Sequence, residues 1–136
     1  MGEAFSVKNF KIAVYIVVLM IGITAAIYGK QAEAADVWVD RWNAEGIDVY
    51  VMDDTLAHGT SSTGRWFSIS TKMVKNGRLK EVITWNYSKF KTEMWRYQTN
   101  TMDQSHDTVV SPSDKVFAYG MNKIGWPYEI REYWVY

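Results

Sequence analysis

Residues 66–97 read WFSISTKMVKNGRLKEVITWNYSKFKTEMWRY, and this stretch decides the fold. Two runs of alternating apolar and polar side chains lie on either side of Asn76-Gly77, a dipeptide typical of tight hairpin turns. Alternation with a period of two is the pattern of a strand with one face in the core. The stretch therefore predicts an antiparallel hairpin, followed by a further strand.

The register of this hairpin depends on which side chains share a face. A two-residue turn at Asn76-Gly77 would place the apolar rows of the two strands on opposite faces of the sheet. A three-residue loop over 75–77, ending in a left-handed glycine, brings both rows to one face. The predicted apolar pairs are Met73 with Leu79, Ile69 with Ile83, and Phe67 with Trp85. We therefore predict a hairpin with a glycine bulge and one face in the core.

The same alternation predicts the other strands. We place them at 37–42, 47–52 and 93–98, with a turn at 43–46, a bend at 87–92 and polar loops at 53–64 and 99–110. The register across the 43–46 turn stays open between a three- and a four-residue loop. The last nine residues, 128–136, alternate as well. They form either an extended tail or, as we favour, an edge strand of the same sheet.

One helix is predicted near the carboxyl end of the chain. Ser113 or Asp114 provides the N-cap, apolar residues follow at helical spacing, and Gly125 with Pro127 ends the helix. Strands in sequence followed by one late helix predict an α+β fold that is mainly β. Its core is an antiparallel meander sheet of five to six strands with the C-terminal helix packed on one face.

The first 34 residues are typical of a bacterial export signal. Lys8 and Lys11 precede an apolar run over 12–27, and Ala32 and Ala34 stand at the two positions that a signal peptidase reads. We expect cleavage after Ala34. The alternative is a retained membrane anchor, which is disfavoured because the run is shorter than the ~20 residues of a spanning helix.

Cleavage would leave residues 35–136 as a single exported domain that is periplasmic, secreted or at the cell surface. The membrane would then be contacted only if the signal segment stays uncleaved. The chain has no cysteine, which excludes disulfides and a lipid-modified cysteine. It carries 15 basic and 15 acidic residues, so no net field favours nucleic acid.

Four segments of the predicted exported domain carry a family resemblance. They are WVDRWNAEGIDVYVMDDTL (38–56), WFSISTKMVKNGRLKEV (66–82), YSKFKTEMWRYQTNTM (87–102) and SDKVFAYGMNKI (113–124). Their order resembles the bacterial surface-adhesin protein E-like family. The resemblance implies an exported surface or periplasmic domain, a sheet with one helix, and binding of host matrix proteins. Family members often carry a cysteine pair, which this chain lacks, and no contact residue transfers.

The two histidines are the main candidates for catalysis or metal binding. His58 and His106 lie in predicted polar loops near aspartates, so a histidine base oriented by carboxylates and a metal held by both histidines are alternatives. Neither spacing matches a known motif. Three adjacent residues such as Ser105-His106-Asp107 do not reproduce triad geometry, which brings distant positions together. We expect solvated histidines, no enzyme activity, and no metal or cofactor.

All seven tryptophans lie after the predicted signal. Five are candidate partner or ligand contacts: Trp38, Trp42, Trp95, Trp126 and Trp134. For any single one a place in the core is favoured, because several share the parity of aliphatic residues. We predict an exported, non-catalytic binding or adhesion domain that uses sheet-edge pairing and aromatic anchors. The alternative is a small-ligand or carbohydrate-binding domain with a Trp-lined sheet face.

The expected partner is a protein or glycan at the cell envelope or outside the cell. The apolar, alternating tail at 128–136 also leaves a homodimer formed by edge pairing open. Tolerance of histidine replacement would favour the binding domain over an enzyme. A concave face whose tryptophan fluorescence responds to glycans would favour the small-ligand alternative.

Overall fold

The computed structural model describes residues 36–136, so the predicted export signal and its cleavage positions, Ala32 and Ala34, lie outside the described residues. Within this range one sheet has six strands, and each pairs antiparallel with the next in the chain. The strands are β1 (Asp36–Trp42), β2 (Ile47–Ser61), β3 (Gly64–Lys75), β4 (Arg78–Phe90), β5 (Arg96–Thr99) and β6 (Thr108–Val109). The predicted antiparallel meander is therefore confirmed.

The predicted late helix is confirmed as α1 (Lys115–Ile124). The Asp114 side chain accepts a hydrogen bond from the backbone N–H of Phe117 at 2.9 Å and caps the helix. At the other end Gly125 has φ +84° and donates its N–H to the Met121 carbonyl at 2.9 Å. Both ends of the helix lie at residues that the local sequence pattern predicted.

The turn of the central hairpin differs from the prediction. Lys75 pairs with Arg78, so the loop is the two residues Asn76 and Gly77, with φ of 52° and 73°. Two consecutive positive φ values are the signature of a type I′ turn, whose twist matches that of the flanking strands. The predicted three-residue loop with a glycine bulge is therefore wrong.

A bulge in β4 restores the shared apolar face. Val74 pairs with Leu79 but Met73 pairs with Glu81, so Lys80 is the extra residue. Beyond it, the observed pairs are Phe67 with Tyr87, Ile69 with Trp85, and Thr71 with Ile83. The predicted partners are therefore wrong by two residues along β4, while the prediction that both apolar rows share one face is correct.

The polar stretch 53–64 was predicted to be a loop, and this is wrong as far as Ser61. β2 continues through it and pairs with β3 up to Ser61–Gly64, after an irregularity between Met52 and Ala57. At this irregularity the Thr55 hydroxyl donates to the Met52 carbonyl at 2.6 Å and accepts the Ser70 N–H at 2.8 Å. Backbone pairing with β3 therefore stabilises a strand whose side chains have no apolar alternation.

The regions after β3 also differ from the prediction. β4 runs through the expected bend to Phe90, β5 begins at Arg96 instead of residue 93, and β6 lies inside the expected loop 99–110. The tail is not an edge strand of the main sheet. It forms its own two-stranded ribbon, β7 (Ile130–Arg131) and β8 (Trp134–Val135), and the Trp95 N–H donates to the Val135 carbonyl at 2.8 Å.

The core lies between the sheet and α1. The helix buries Val116, Phe117, Gly120 and Met121 against one face of the sheet. Phe67 of that face is fully buried and stacks on Tyr87 with ring centroids 4.6 Å apart. A Cβ on Gly120 would overlap with the Phe67 ring, so a glycine is required for the helix to approach this closely.

Two threonines, Thr71 and Thr99, are buried on this apolar face. The Thr71 hydroxyl accepts the indole N–H of Trp85 at 2.9 Å, so the buried hydroxyl and the buried indole N–H are paired with each other. The strand partner of Thr71 is Ile83.

Among residues 36–136, no helix combines the length and the hydropathy needed to cross a membrane.

Candidate functional site

The face of the sheet opposite α1, hereafter the open face, carries every second side chain of β1–β4. Because Phe67 and Ile69 point to the helix, the residues between and beyond them point the other way. The centre of the open face consists of small polar side chains: Ser68, Ser70, Thr84, Asn86 and Ser88. A hydrogen bond of 2.8 Å joins the Ser70 and Thr84 hydroxyls across the two strands. This centre is suited to contact with water.

One end of the open face carries several apolar side chains around Lys72. Trp38, Tyr50, Lys72 and Val82 are successive partners across β1–β4, so they form one row with neighbouring Cβ atoms roughly 4.5–5.5 Å apart. Trp38 is 53% exposed and Val82 is 40% exposed. Leu79, paired with Val74 closer to the hairpin turn, is 56% exposed. We name Trp38, Tyr50, Val74, Leu79 and Val82 the apolar corner.

Trp38 is held in place although it is exposed. Its indole N–H donates to Asp48 at 3.1 Å, and Arg41 pairs with the same carboxylate at 2.9 Å. The hydrogen bond from Trp38 is the main cause that lowers the pKa of Asp48; burial opposes it, and Arg41 adds to the lowering. Asp48 is therefore ionised at neutral pH and fixes the orientation of the indole.

The apolar corner continues to a free strand edge. In the described part of the chain, β1 is hydrogen-bonded to β2 alone, so its outer edge has no strand partner. Lys72 and Asp36 form an ion pair of 2.7 Å beside this edge. A strand edge next to exposed apolar side chains is the arrangement by which a partner can add both main-chain and side-chain contacts.

The five tryptophans predicted as contacts lie in different environments. Trp38 lies on the open face, and Trp42 is half-buried against the core. Trp95 is 1% exposed and packs on Phe67 and Phe117, so this residue is core and its prediction as a surface contact is corrected. Trp126 is half-buried and stacks on Trp95, with centroids 6.2 Å apart. Trp134 is 41% exposed and belongs to the separate ribbon.

Sequence reasoning missed the aliphatic part of the apolar corner. Leu79 was expected in the core because the predicted loop set its parity, and the bulge at Lys80 turns it outward. Val82 also faces outward, but the alternation along β4 does not by itself connect it to Trp38. That connection requires the pairing of four strands, which no local pattern reveals.

The two histidines do not form a shared site. His58 lies on β2, not in a loop, and contacts the Trp126 ring edge-to-face at 5.5 Å. His106 is exposed and precedes β6. Three strands lie between β2 and β6, which is roughly 19 Å along the sheet at ~4.8 Å per strand. In residues 36–136 no three His, Cys, Asp or Glu side chains are grouped as a metal site would require.

Several groups with shifted pKa values make contacts that join elements of the fold. Burial raises the pKa of Asp114, although hydrogen bonds from the Phe117 N–H and the Tyr87 hydroxyl oppose this effect. Burial, reinforced by Asp114, raises the pKa of Tyr87 well above its usual value. The Tyr87 hydroxyl donates to the carboxylate at 3.0 Å. The pair therefore links the helix cap to the sheet under α1.

A second pair lies at the helix surface. The Tyr119 hydroxyl donates to Asp53 in a short hydrogen bond, and Lys123 lies 3.6 Å from the same carboxylate. Burial, followed by Asp53, raises the pKa of Tyr119 to about 12. This phenol stays protonated at neutral pH, so it acts as a donor that joins α1 to β2.

No family model, curated protein or solved structure matches this chain. The resemblance to the bacterial surface-adhesin protein E-like family therefore stays a prediction that rests on the sequence motifs.

Proposed function

We propose that this chain is a non-catalytic binding domain that acts outside the cytoplasm and captures a protein partner with its apolar corner and the edge of β1. The observation that carries the proposal is the exposed apolar surface of Trp38, Leu79 and Val82 around Lys72, at one end of a face whose centre is polar. Contiguous exposed apolar groups beside polar surroundings are typical of interaction surfaces.

The composition of the apolar corner favours a protein over a glycan. Leu79 and Val82 add aliphatic surface, which packs against protein side chains, whereas sugar binding relies on aromatic platforms with polar groups beside them. Trp38 is a typical hot-spot residue, and its bond to Asp48 reduces the entropy that it would lose on binding.

The alternative of carbohydrate binding on a Trp-lined sheet has less support. Trp66 is the other tryptophan that we place on the open face, and it is 45% exposed. It lies six residues along β3 from Lys72, the β3 member of the Trp38 row, which corresponds to roughly 20 Å. Two tryptophans at this distance do not form one platform.

The export part of the proposal rests on the N-terminal signal pattern. The resemblance to the surface-adhesin family supports the periplasm or the cell surface as the place of action. A protein partner at the cell envelope or in the host matrix agrees with both the signal pattern and the resemblance. A second copy of this chain is the remaining protein partner to test.

The test is binding of the full chain to a panel of immobilised extracellular-matrix and envelope proteins, measured by surface plasmon resonance, with analytical ultracentrifugation for self-association. We expect Trp38→Ala and Val82→Asp to weaken binding at least tenfold, since central aromatic and apolar contacts dominate interfaces. Trp66→Ala is the matched control, because it removes an exposed tryptophan from the other end of the same face.

The unfolding midpoints of all three variants are measured in parallel to exclude misfolding. If Trp66→Ala weakens binding as much as Trp38→Ala does, the apolar corner is not the contact. If the panel gives no binding and the chain stays monomeric at every concentration, the proposal of a protein-binding domain is overturned.

A further inference from the structure

A pocket of about 390 Å³ lies on the helix side of the sheet, away from the apolar corner. The turn between β2 and β3, the end of β4 and the C-terminal tail enclose it. Its lining comprises Thr60, Ser61, Ser62, Thr63, Gly64, Arg65, Lys89, Lys91, Trp95, Pro127 and Tyr136. The volume lies within the range of roughly 300–1,000 Å³ that is typical of small-molecule sites.

The charged side chains of this pocket have one sign. Arg65, Lys89 and Lys91 line it, and no Asp or Glu side chain does. Among residues 36–136, the ion pairs within 4.0 Å involve other basic residues, so none of these three has a carboxylate partner. Three cationic side chains that line one concave site without a carboxylate partner favour an anionic ligand.

The cations are positioned by surrounding structure. The Arg65 guanidinium lies over the Trp126 ring, 5.1 Å from its centroid, which orients the side chain. The backbone N–H of Lys91 donates to the Thr63 carbonyl at 2.8 Å and joins the segment after β4 to the β2–β3 turn. A Cβ on Gly64 would overlap with the Lys89 carbonyl, so the glycine permits this close approach.

Hydroxyl groups lie beside the cations. Ser61 and Thr63 hydroxyls are 3.0 Å apart, and Thr60 and Ser62 also line the pocket. Hydroxyls both donate and accept, so they match the hydroxyls of a sugar, while guanidinium and ammonium groups match an oxyanion. The pocket is also too large to be filled by a single oxyanion.

We propose that this pocket binds a sugar-sized anionic ligand. Its phosphate, sulfate or carboxylate group is held by Arg65, Lys89 and Lys91, and its hydroxyls are bound by the 60–63 turn. This site is separate from the apolar corner, and it does not depend on the proposed protein partner.

The experiment is isothermal titration calorimetry of the full chain with four probes: a hexose 6-phosphate, a hexose 6-sulfate, a hexuronate and the uncharged hexose. Inorganic phosphate is a fifth titration. We expect the charged sugars to bind, with an affinity that falls as salt rises, and the uncharged hexose not to bind. The ranking of the three charged probes identifies which oxyanion the site prefers.

Variants locate the site. Lys89→Gln and Lys91→Asn should each weaken binding about tenfold or more, because each removes a charged hydrogen-bond donor. Asparagine is chosen for position 91 because the residue there has φ +49°, which asparagine tolerates. Lys75→Gln, at the β3–β4 turn, is the matched control and should leave the affinity unchanged.

The indole N–H resonance of Trp126 provides a second readout, since its ring contacts Arg65. This resonance should shift when a charged probe binds to the parent protein. The proposal is overturned if none of the charged sugars binds, if charged and uncharged sugars bind equally, or if Lys75→Gln weakens binding as much as the pocket variants do. Inorganic phosphate binding as tightly as the hexose 6-phosphate would overturn the assignment of a sugar-sized ligand.

Discussion

The two faces of the sheet are built from alternate residues of the same strands, and they are governed by different physical effects. On the covered face Phe67 stacks on Tyr87 at 4.6 Å beneath Gly120, so shape and volume decide which residues fit. On the open face Ser70 and Thr84 share a hydroxyl hydrogen bond within reach of solvent. Stability therefore depends mainly on one face, which leaves the other free to bind.

The strongest test of this comparison uses adjacent residues on opposite faces. Phe67→Ala should destabilise the protein by about 3–5 kcal/mol, because it removes a fully buried ring from the core. Ser68→Ala, one position along β3, should change stability by no more than about 0.5 kcal/mol. Urea unfolding followed by tryptophan fluorescence measures both. Equal losses would show that the two faces contribute alike.

A glycine tests the closeness of packing on the covered face. In an exposed helix Gly→Ala stabilises by about 0.5–1 kcal/mol. Gly120→Ala should instead destabilise, towards the upper part of the roughly 1–3 kcal/mol cost of overpacking, because the buried Phe67 ring has no space to move. Asn122→Ala, exposed on the same helix, is the control and should be neutral or slightly stabilising. A stabilising Gly120→Ala would contradict the observed helix position.

A smaller loss of stability is expected when the buried hydroxyl of Thr71 is replaced. Thr71→Val leaves the Trp85 indole N–H without its acceptor, which should cost about 1 kcal/mol after the added methyl group is buried. Ser70→Ala breaks a hydroxyl pair on the open face, where water can replace it, so its cost should be lower. Thermal unfolding of the two variants compares them. A larger loss for Ser70→Ala would reverse the assignment of the faces.

The smallest effect concerns the pH dependence of stability. Because the pKa of Asp114 is raised in the folded state, the folded protein binds more protons than the unfolded chain, and stability falls as pH rises from about 3.8 to the raised pKa. Asp114→Asn keeps the helix cap, so stability at neutral pH should change by less than about 0.5 kcal/mol. The stability of Asp114→Asn should fall less across this pH range than the stability of the parent protein.

Urea midpoints of the parent and Asp114→Asn at several pH values from about 3 to 7 measure this difference, and the subtraction removes the contribution of other carboxylates. Asp114→Ala is the second control, because it removes both the cap and the charge and should lose about 1 kcal/mol at neutral pH. Parallel pH profiles for the parent and Asp114→Asn would contradict the raised pKa.

The elements that sequence reasoning predicted are those with local determinants. Asp114 and Gly125 end the helix through bonds to residues three or four positions away, and such bonds leave a signature in the sequence. The shared apolar face of β3 and β4 was also predictable, since burial imposes the alternation. The overall meander follows from these elements and their order.

The parts that failed depend on contacts between distant residues. The single extra residue Lys80 shifts every pair of the hairpin beyond Val74–Leu79, and the residues next to it include no glycine or other local marker. β2 extends through polar residues because β3 is beside it. The basic pocket brings together Arg65 at the start of β3 with Lys89 and Lys91 at and after the end of β4, so it becomes visible only once the strands are paired.

The order of the strands in the sheet has a consequence for folding. Each of the six strands pairs with its neighbour in the chain, so every pairing closes a short loop and none waits for a distant segment. α1 follows all six strands in the sequence. During synthesis, which starts at the amino end, all six strands therefore leave the ribosome before the helix does. Until the helix covers it, the apolar row around Phe67 is exposed and prone to aggregation.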